Sequence, residues 1–390
     1  MDKNETFNKE LISHMFSRDT DGHRYRIGDV IRMAKCSVTE HYGQDLNKLN
    51  FILLGDPALK LAFPEHKIKI TEINGVDIDK ASSNIVLKAR SQATFKGIIL
   101  TPSGEKDETF NGYIQQRLYD SERSITTHGE DEGGEPYTFK VRDSKLYEGK
   151  DLVKNGEFEF TFKLPKELNY SNEPALINLY AYDEAQKIEA QGTSKDFIVN
   201  GYDNEVEADE IGPTIEYFYL NSSDYSYGAT VNETPVFIAQ VYDKSGINVS
   251  GIGLGHDLTI KIDDNPNTEY IINNYFTPAS GDFGRGTIMY QIPELSEGEH
   301  TLTIKVWDTE GNSSEKSTMF VVEKGLKPNI YQLYTTKNPV RDEAKFYLNH
   351  DRPNMVMKVT IAIYDLWGNE LWRNESEGKS DMWKTEPVIW

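Results

Sequence analysis

Residues 157–164 alternate without a break: Glu157, Phe158, Glu159, Phe160, Thr161, Phe162, Lys163, Leu164. A helix would scatter these large apolar side chains around its circumference, whereas a strand puts them all on one face. The run predicts a half-buried strand, and with it a sheet that has a covered face. The same period recurs along most of the chain. Ile68, Ile70 and Ile73 begin it, with a break at Glu72, and 175–182 sets Leu176, Asn178, Tyr180 and Tyr182 on one side. Further strands are predicted at 235–242, 258–262, 287–291, 301–307 and 318–322; in the fourth, Leu302, Ile304 and Val306 face one way. Residues 103–112 and 128–136 are polar and Gly-rich and read as loops. Asp243-Lys244-Ser245-Gly246 and Asp308-Thr309-Glu310-Gly311-Asn312 are turn sequences. Residues 203–210 hold five carboxylates ahead of Gly212-Pro213 and read as an exposed linker. These signals predict a β-sandwich at 66–205 and an immunoglobulin-like β-sandwich at 206–326.

The two ends differ from this middle. Phe7, Leu11, Ile12, Met15 and Phe16 recur at helical spacing, as do Ile27, Val30, Ile31 and Ala34, with Gly22 and Gly28 between them. Asp29 in the first turn of the second helix suits the dipole. The apolar run Phe51-Ile52-Leu53-Leu54, closed by Gly55-Asp56-Pro57, predicts a buried strand of a parallel sheet. Two helices and one such strand do not complete an α/β domain, so residues 1–65 read as the C-terminal remnant of one. Residues 327–390 read as a further, truncated β unit. Phe346 and Leu348, then Val359, Ile361 and Ile363, then Leu371 and Trp372 mark its strands, with Asp365-Leu366-Trp367-Gly368-Asn369 as a hairpin turn.

Composition removes several classes. Hydrophobic residues are 37% of the 390, with 22 Tyr and 17 Phe, enough to build cores and to exclude wholesale disorder. The formal charge of −21 disfavours nucleic acid as a partner. There is no apolar run long enough to span a membrane and no signal-peptide pattern at the start of the chain. The single cysteine, Cys36, cannot form an internal disulfide and leaves the compartment undecided.

Few residues suggest chemistry. Cys36 and His41 are neighbours in sequence, but five helical residues turn them off a common face, so Cys36 is expected to pack at a helix end. His128-Gly129 lies in an acidic loop. The eight histidines show no metal-ligand spacing, and no phosphate loop, GxSxG or dinucleotide fingerprint is present. Asp203 to Asp209 and Asp263-Asp264-Asn265 carry oxygens of the kind Ca²⁺ takes, without EF-hand spacing, and read as a linker and a turn. Trp307, Trp367, Trp372, Trp383 and Trp390 are expected mostly in the core or covering edges. No catalytic, cofactor-binding or metal residue is assigned.

Taken in order, the motifs resemble one family. Residues 26–35 (RIGDVIRMAK) and 47–59 (NKLNFILLGDPAL) resemble the end of the gingipain-type cysteine peptidase domain, an α/β caspase-like fold. Residues 158–165 (FEFTFKLP), 251–258 (GIGLGHDL), 298–302 (GEHTL) with Val306-Trp307-Asp308, and Asn338-Pro339 with 363–368 (IYDLWG) resemble the sortases of the Bacteroidetes type IX secretion system. The resemblance implies a mainly β chain. Tandem immunoglobulin-like β-sandwiches would be preceded by the remnant of the peptidase domain and followed by an incomplete β-sandwich C-terminal domain. It implies a parent at the cell surface, associated with the outer membrane. That parent is a cysteine endopeptidase and sortase that removes the C-terminal signal of type IX cargo and joins the cargo to anionic lipopolysaccharide. Its partners are cargo C-terminal domains and the outer-membrane protein PorV; no cofactor is implied. The family's catalytic His and Cys precede the 26–35 helix, so neither Cys36 nor His128 inherits either role, and 66–390 is expected to be scaffold and docking surface. The rival reading is a self-standing adhesive or glycan-binding β-sandwich protein.

Overall fold

The computed structural model describes residues 2–43, 47–129, 134–250, 255–336, 340–341, 343–353, 355–380, 384–385 and 388–389. The chain divides into two compact units, Met1–Glu65 and His66–Trp390.

The first unit holds α1 (Asp2–Phe16), α2 (Ile27–Tyr42) and a 3₁₀ turn, Asn47–Asn50. Its core is small: Phe7, Ala34 and Val38, with Leu11 and Phe51 against them, and the Phe7 and Phe51 rings stack at 4.4 Å. The start of α2 is pinned to the turn after the apolar run, because Ile27 N donates to Leu59 O (2.8 Å) and Gly28 N donates to Pro57 O (3.0 Å). A Cβ at position 28 would lie 2.7 Å from that of Pro57, so the contact requires glycine. The buried strand expected at 51–54 does not form. The segment joins no ladder, and Ile52 and Leu54 are 74% and 88% exposed. A strand is stabilised by a hydrogen-bonded neighbour, and among the described residues of this unit no strand lies beside it.

The second unit is built of β-strands, as the period-two pattern requires. Its first part comprises β1 (His66–Ile73), β2 (Val76–Asp77), β3 (Ile85–Ala89), β4 (Gln92–Leu100), β5 (Gly112–Tyr119), β6 (Arg123–Thr126), β7 (Thr138–Val141), β8 (Lys145–Lys154), β9 (Glu157–Lys163), β10 (Leu176–Asp183), β11 (Ile188–Ser194) and β12 (Phe197–Tyr202). One sheet runs β11-β10-β5-β8-β9-β4-β1-β2 and returns on itself, because β1 also pairs in parallel with β11. The parallel pair β3–β12 contributes Leu87, Ala89, Phe197 and Val199 to the same core. That core is aromatic. Phe95 lies 5.3 Å from Phe160 and 5.8 Å from Phe162, and Phe162 stacks on Tyr147 at 4.0 Å. β8 and β9 meet at the turn Asn155-Gly156, whose left-handed φ values of 50° and 70° suit a two-residue hairpin. They pair only at Val153–Phe158 and Lys154–Glu157, and then diverge.

The next part comprises β13 (Thr214–Leu220), β14 (Thr230–Val231), β15 (Val236–Tyr242), β16 (Thr259–Ile262), β17 (Glu269–Ile271), β18 (Phe276–Ala279), β19 (Asp282–Gln291), β20 (Gly298–Trp307) and β21 (Ser313–Val322). They form a four-stranded sheet, β13-β15-β19-β18, and a five-stranded sheet, β14-β21-β20-β16-β17. Phe237, Ala239, Val241 and Ile288 from the first share a core with Ile260, Leu302, Ile304, Val306 and Phe320 from the second. The strands expected at 235–242, 258–262, 287–291, 301–307 and 318–322 all lie in these sheets, several of them longer than the pattern indicated.

The last part holds β22 (Ile330–Thr335), β23 (Lys345–His350), β24 (Val356–Tyr364), β25 (Glu370–Lys379) and β26 (Val388–Ile389), paired as β22-β23-β26 and β24–β25. The expected turn at 365–369 joins β24 to β25: Asp365 N donates to Asn369 O at 2.9 Å, and Gly368 has φ 87°.

Candidate functional site

The most unusual chemistry gathers where the first two β regions meet. Arg90 follows β3 with φ 68°, a backbone position that favours glycine. Its guanidinium Nε donates to Glu310 Oε2 at 2.7 Å, and Lys163, at the end of β9, places its ammonium 2.6 Å from Glu310 Oε1. Arg90 and Glu310 are both buried. Arg90 Nη1 also donates to the Tyr202 hydroxyl at 3.1 Å, and Lys163 donates to Ser245 Oγ at 3.2 Å. Lys166 N donates to Thr309 O at 2.8 Å. A second attachment fills the gap left where β8 parts from β9: Gly281 N donates to Lys150 O at 2.9 Å, and Phe283 packs on the first core.

Beside the ionic contact lie three buried carboxylates. Asp209, Asp243 and Asp308 each offer an oxygen within 4.8 Å of the others. Asp209 Oδ2 accepts from Ser245 Oγ at 2.7 Å, and the Lys244 ammonium lies 3.3 Å from Oδ1. Asp243 Oδ1 accepts from Ser245 N at 2.6 Å. Asp308 accepts from the backbone amides of Glu310 and Asn312 and from the Asn312 side chain, and is fully enclosed. Burial pushes Asp243 up to about 6; the Ser245 amide works against this, and the neighbouring Asp308 and Asp209 charges add to it. Burial likewise raises Asp308, against the hydrogen bonds from Asn312. At Asp209 burial acts upward too, but the Ser245 hydroxyl, the Ile211 amide and Lys244 outweigh it and leave the carboxyl below its usual range. Three oxygens so placed are a donor set of the hard kind that divalent cations take.

This grouping revises one expectation. The 203–210 stretch was predicted to be an exposed linker, yet Asp209 is buried, because Ser245 and Asn312 from two turns close over it. The other acidic stretch is a turn: Asp263 and Asp264 both have left-handed φ, Asp263 receives His300 (2.6 Å) and the Thr301 amide (2.8 Å), and Asp264 pairs with Lys261.

The remaining sequence candidates do not converge. Cys36 is exposed in the middle of α2 rather than packed at its end, since that helix continues to Tyr42. His41 is exposed and its Nδ1 lies 2.9 Å from Ser37 O. His128 is exposed between β6 and β7. Trp307 packs 4.3 Å from His256, which lies 3.4 Å from Glu167. Trp367 is 86% exposed at its turn, and Trp372 lies 6.5 Å from Phe346. Gly251–Leu254, Asn338-Pro339, Trp383 and Trp390 lie outside the described residues. Among the described residues, no helix is long and apolar enough to cross a membrane.

Comparison with known proteins gives these motifs a family context. Residues 1–62 match the model of peptidase family C25. Over 96% of its length the chain is 35% identical to a chain in the crystal structure of dimeric latent PorU from Porphyromonas gingivalis, with a TM-score of 0.44. In sequence the chain is similar to PorU along nearly its whole length. It spans 35% of that PorU chain. Two fainter likenesses carry no argument. CopC from Methylosinus trichosporium OB3b is 16% identical over 28% of this chain and 98% of its own, with a TM-score of 0.19. Spo0M from Bacillus subtilis is 11% identical over 65% and 90%, with a TM-score of 0.23. No curated protein matches the chain.

Proposed function

We propose that this chain is the scaffold and docking part of a PorU-like cell-surface sortase. In that reading the parent removes the C-terminal signal of type IX secretion cargo and joins the cargo to anionic lipopolysaccharide. In this reading the chain supplies no nucleophile. The observation that carries the proposal is the 35% identity to PorU along nearly the whole chain, joined to the family C25 match at residues 1–62.

The first unit supports the reading physically. Ile12, Phe16, Leu49, Ile52, Leu54 and Leu59 are all more than half exposed, on a unit with a very small core. So much uncovered apolar surface is what the edge of an α/β peptidase domain would present to the rest of that domain. The C-terminal region, 327–390, would then dock on the outer-membrane partner PorV, with cargo C-terminal domains as further partners.

Two measurements test this. The purified chain is expected to cleave no fluorogenic peptide substrate and to be retained on immobilised PorV through 327–390. Endopeptidase activity abolished by alkylation of Cys36 would overturn the scaffold role. Failure of PorV retention would remove the docking role.

A further inference from the structure

The outer face of the closed sheet carries an arrangement that the sortase reading does not use. In adjacent strands, residues directly opposite in the ladder share a face. Tyr182 on β10 lies opposite Glu189 on β11 and Tyr113 on β5. One step along, Tyr180 lies opposite Gln191 and Gln115, and Gln115 lies opposite Lys150 on β8. The residues between them, Ile114, Leu179, Ala181 and Ala190, are buried in the core. The tyrosines are therefore on the solvent side, with Tyr113 and Tyr180 43% and 38% exposed. Together Tyr113, Gln115, Lys150, Tyr180, Tyr182 and Glu189 line a concavity of 290 Å³. The Lys150 ammonium stands 4.4 Å from the centre of the Tyr113 ring. Leu152, opposite Tyr113, begins a second depression of 570 Å³ that runs to Lys96, Glu159 and Gly281.

We infer that this face is a binding site for an oligosaccharide of pyranose rings. The chemistry selects that class. A pyranose ring has an apolar face of C–H groups, which an exposed phenol ring matches, and a rim of hydroxyls that need partners able both to give and to accept. The Gln115 amide and the phenols do both, Lys150 donates, and Glu189 accepts. The lining sets three aromatic rings beside three polar groups, and in small-ligand sites such polar groups fix the orientation of what the rings hold. A peptide strand cannot add here, because β5 and β10 are interior strands with both edges paired. The chain's charge of −21 disfavours a nucleic acid on the same rings. The second depression gives the site the length for more than one sugar unit. The inference is argued from this face alone and does not rest on the sortase reading, whose lipopolysaccharide is one glycan of the class it names.

The test is an array of pyranose oligosaccharides (neutral, amino and uronic) probed with the full chain, followed by calorimetric titration of the strongest glycan retained. At least one glycan should bind. Tyr113→Ala and Tyr180→Ala should each weaken binding about tenfold. Tyr180→Phe, which keeps the stacking face, should retain most of the affinity. Tyr217→Ala, on an exposed tyrosine of β13, should change nothing. Thermal melts establish that each variant is folded. An array with no retained glycan, or affinity unchanged in the folded Tyr113→Ala/Tyr180→Ala double variant, would overturn the inference.

Discussion

Phe51–Leu54 and Phe158–Leu164 are both dense in large apolar side chains, and they meet opposite fates. Phe158, Phe160, Phe162 and Leu164 are buried, while Ile52 and Leu54 stand in solvent. The second segment has β4 and the end of β8 beside it and Tyr147 stacked over it; the first lies alone against one helix pair. Apolar sequence supplies the tendency to be buried, but a hydrogen-bonded neighbour and a facing layer decide whether burial happens.

That contrast can be pressed hardest in the core. Phe162→Ala should cost about 4 kcal/mol, because a fully enclosed ring in contact with Tyr147 and Phe95 leaves a cavity. Urea unfolding followed by far-ultraviolet circular dichroism measures it, and a loss under 1 kcal/mol would mean that the core collapses around the gap. Next in size is the ionic contact between the β regions. Glu310→Gln leaves Arg90 and Lys163 without their counter-charge and should cost about 3 kcal/mol. A calorimetric scan should show the unfolding of the two regions at more widely separated temperatures than in the parent, since the regions would be less firmly coupled.

The carboxylate group gives a smaller, pH-dependent effect. Asp243 titrates near 6 in the folded protein and near the ordinary carboxylate value when unfolded. Between those values the folded form holds a proton that the unfolded form has released, so this group makes stability fall as pH rises through the window. Asp243→Asn keeps the acceptor for the Ser245 amide and removes the buried charge. It should raise the Tm by about 2–4 °C at pH 8 and leave it nearly unchanged at pH 4. A lower Tm at pH 8 would show that the charge at 243 is itself stabilising. The smallest effect belongs to the exposed run: Leu54→Ser should stay within about 0.5 kcal/mol of the parent. A larger loss would mean that this segment is covered in solution.

The strands were legible wherever one face is buried and the other wet, because period-two alternation follows directly from the pleat. Leu176, Asn178, Tyr180 and Tyr182 do share a face, as their spacing required, but nothing in that spacing shows which face is outward. The return of β11 onto β1 was not legible. It joins segments more than 100 residues apart in the chain through backbone groups that carry no sequence signal. The run at 51–54 reads as a buried strand because hydropathy cannot report a missing neighbour. Asp209 reads as part of a solvated linker for the converse reason, since the groups that enclose it come from two distant turns. A usable hint existed in the shared Asp-x-x-Gly pattern of 243–246 and 308–311. Two turns of one kind, each led by a carboxylate, can bring those carboxylates to the same end of a sandwich.

The double attachment between the first two β regions has a mechanical consequence. One anchor is the enclosed Arg90–Glu310–Lys163 contact, and the other is the backbone bond from Gly281 to Lys150 reinforced by Phe283. A body held at one point can swivel about it, but a body held at two separated points loses that freedom without breaking one of them. A tug on either region is therefore transmitted to the other as movement of a single stiff strut.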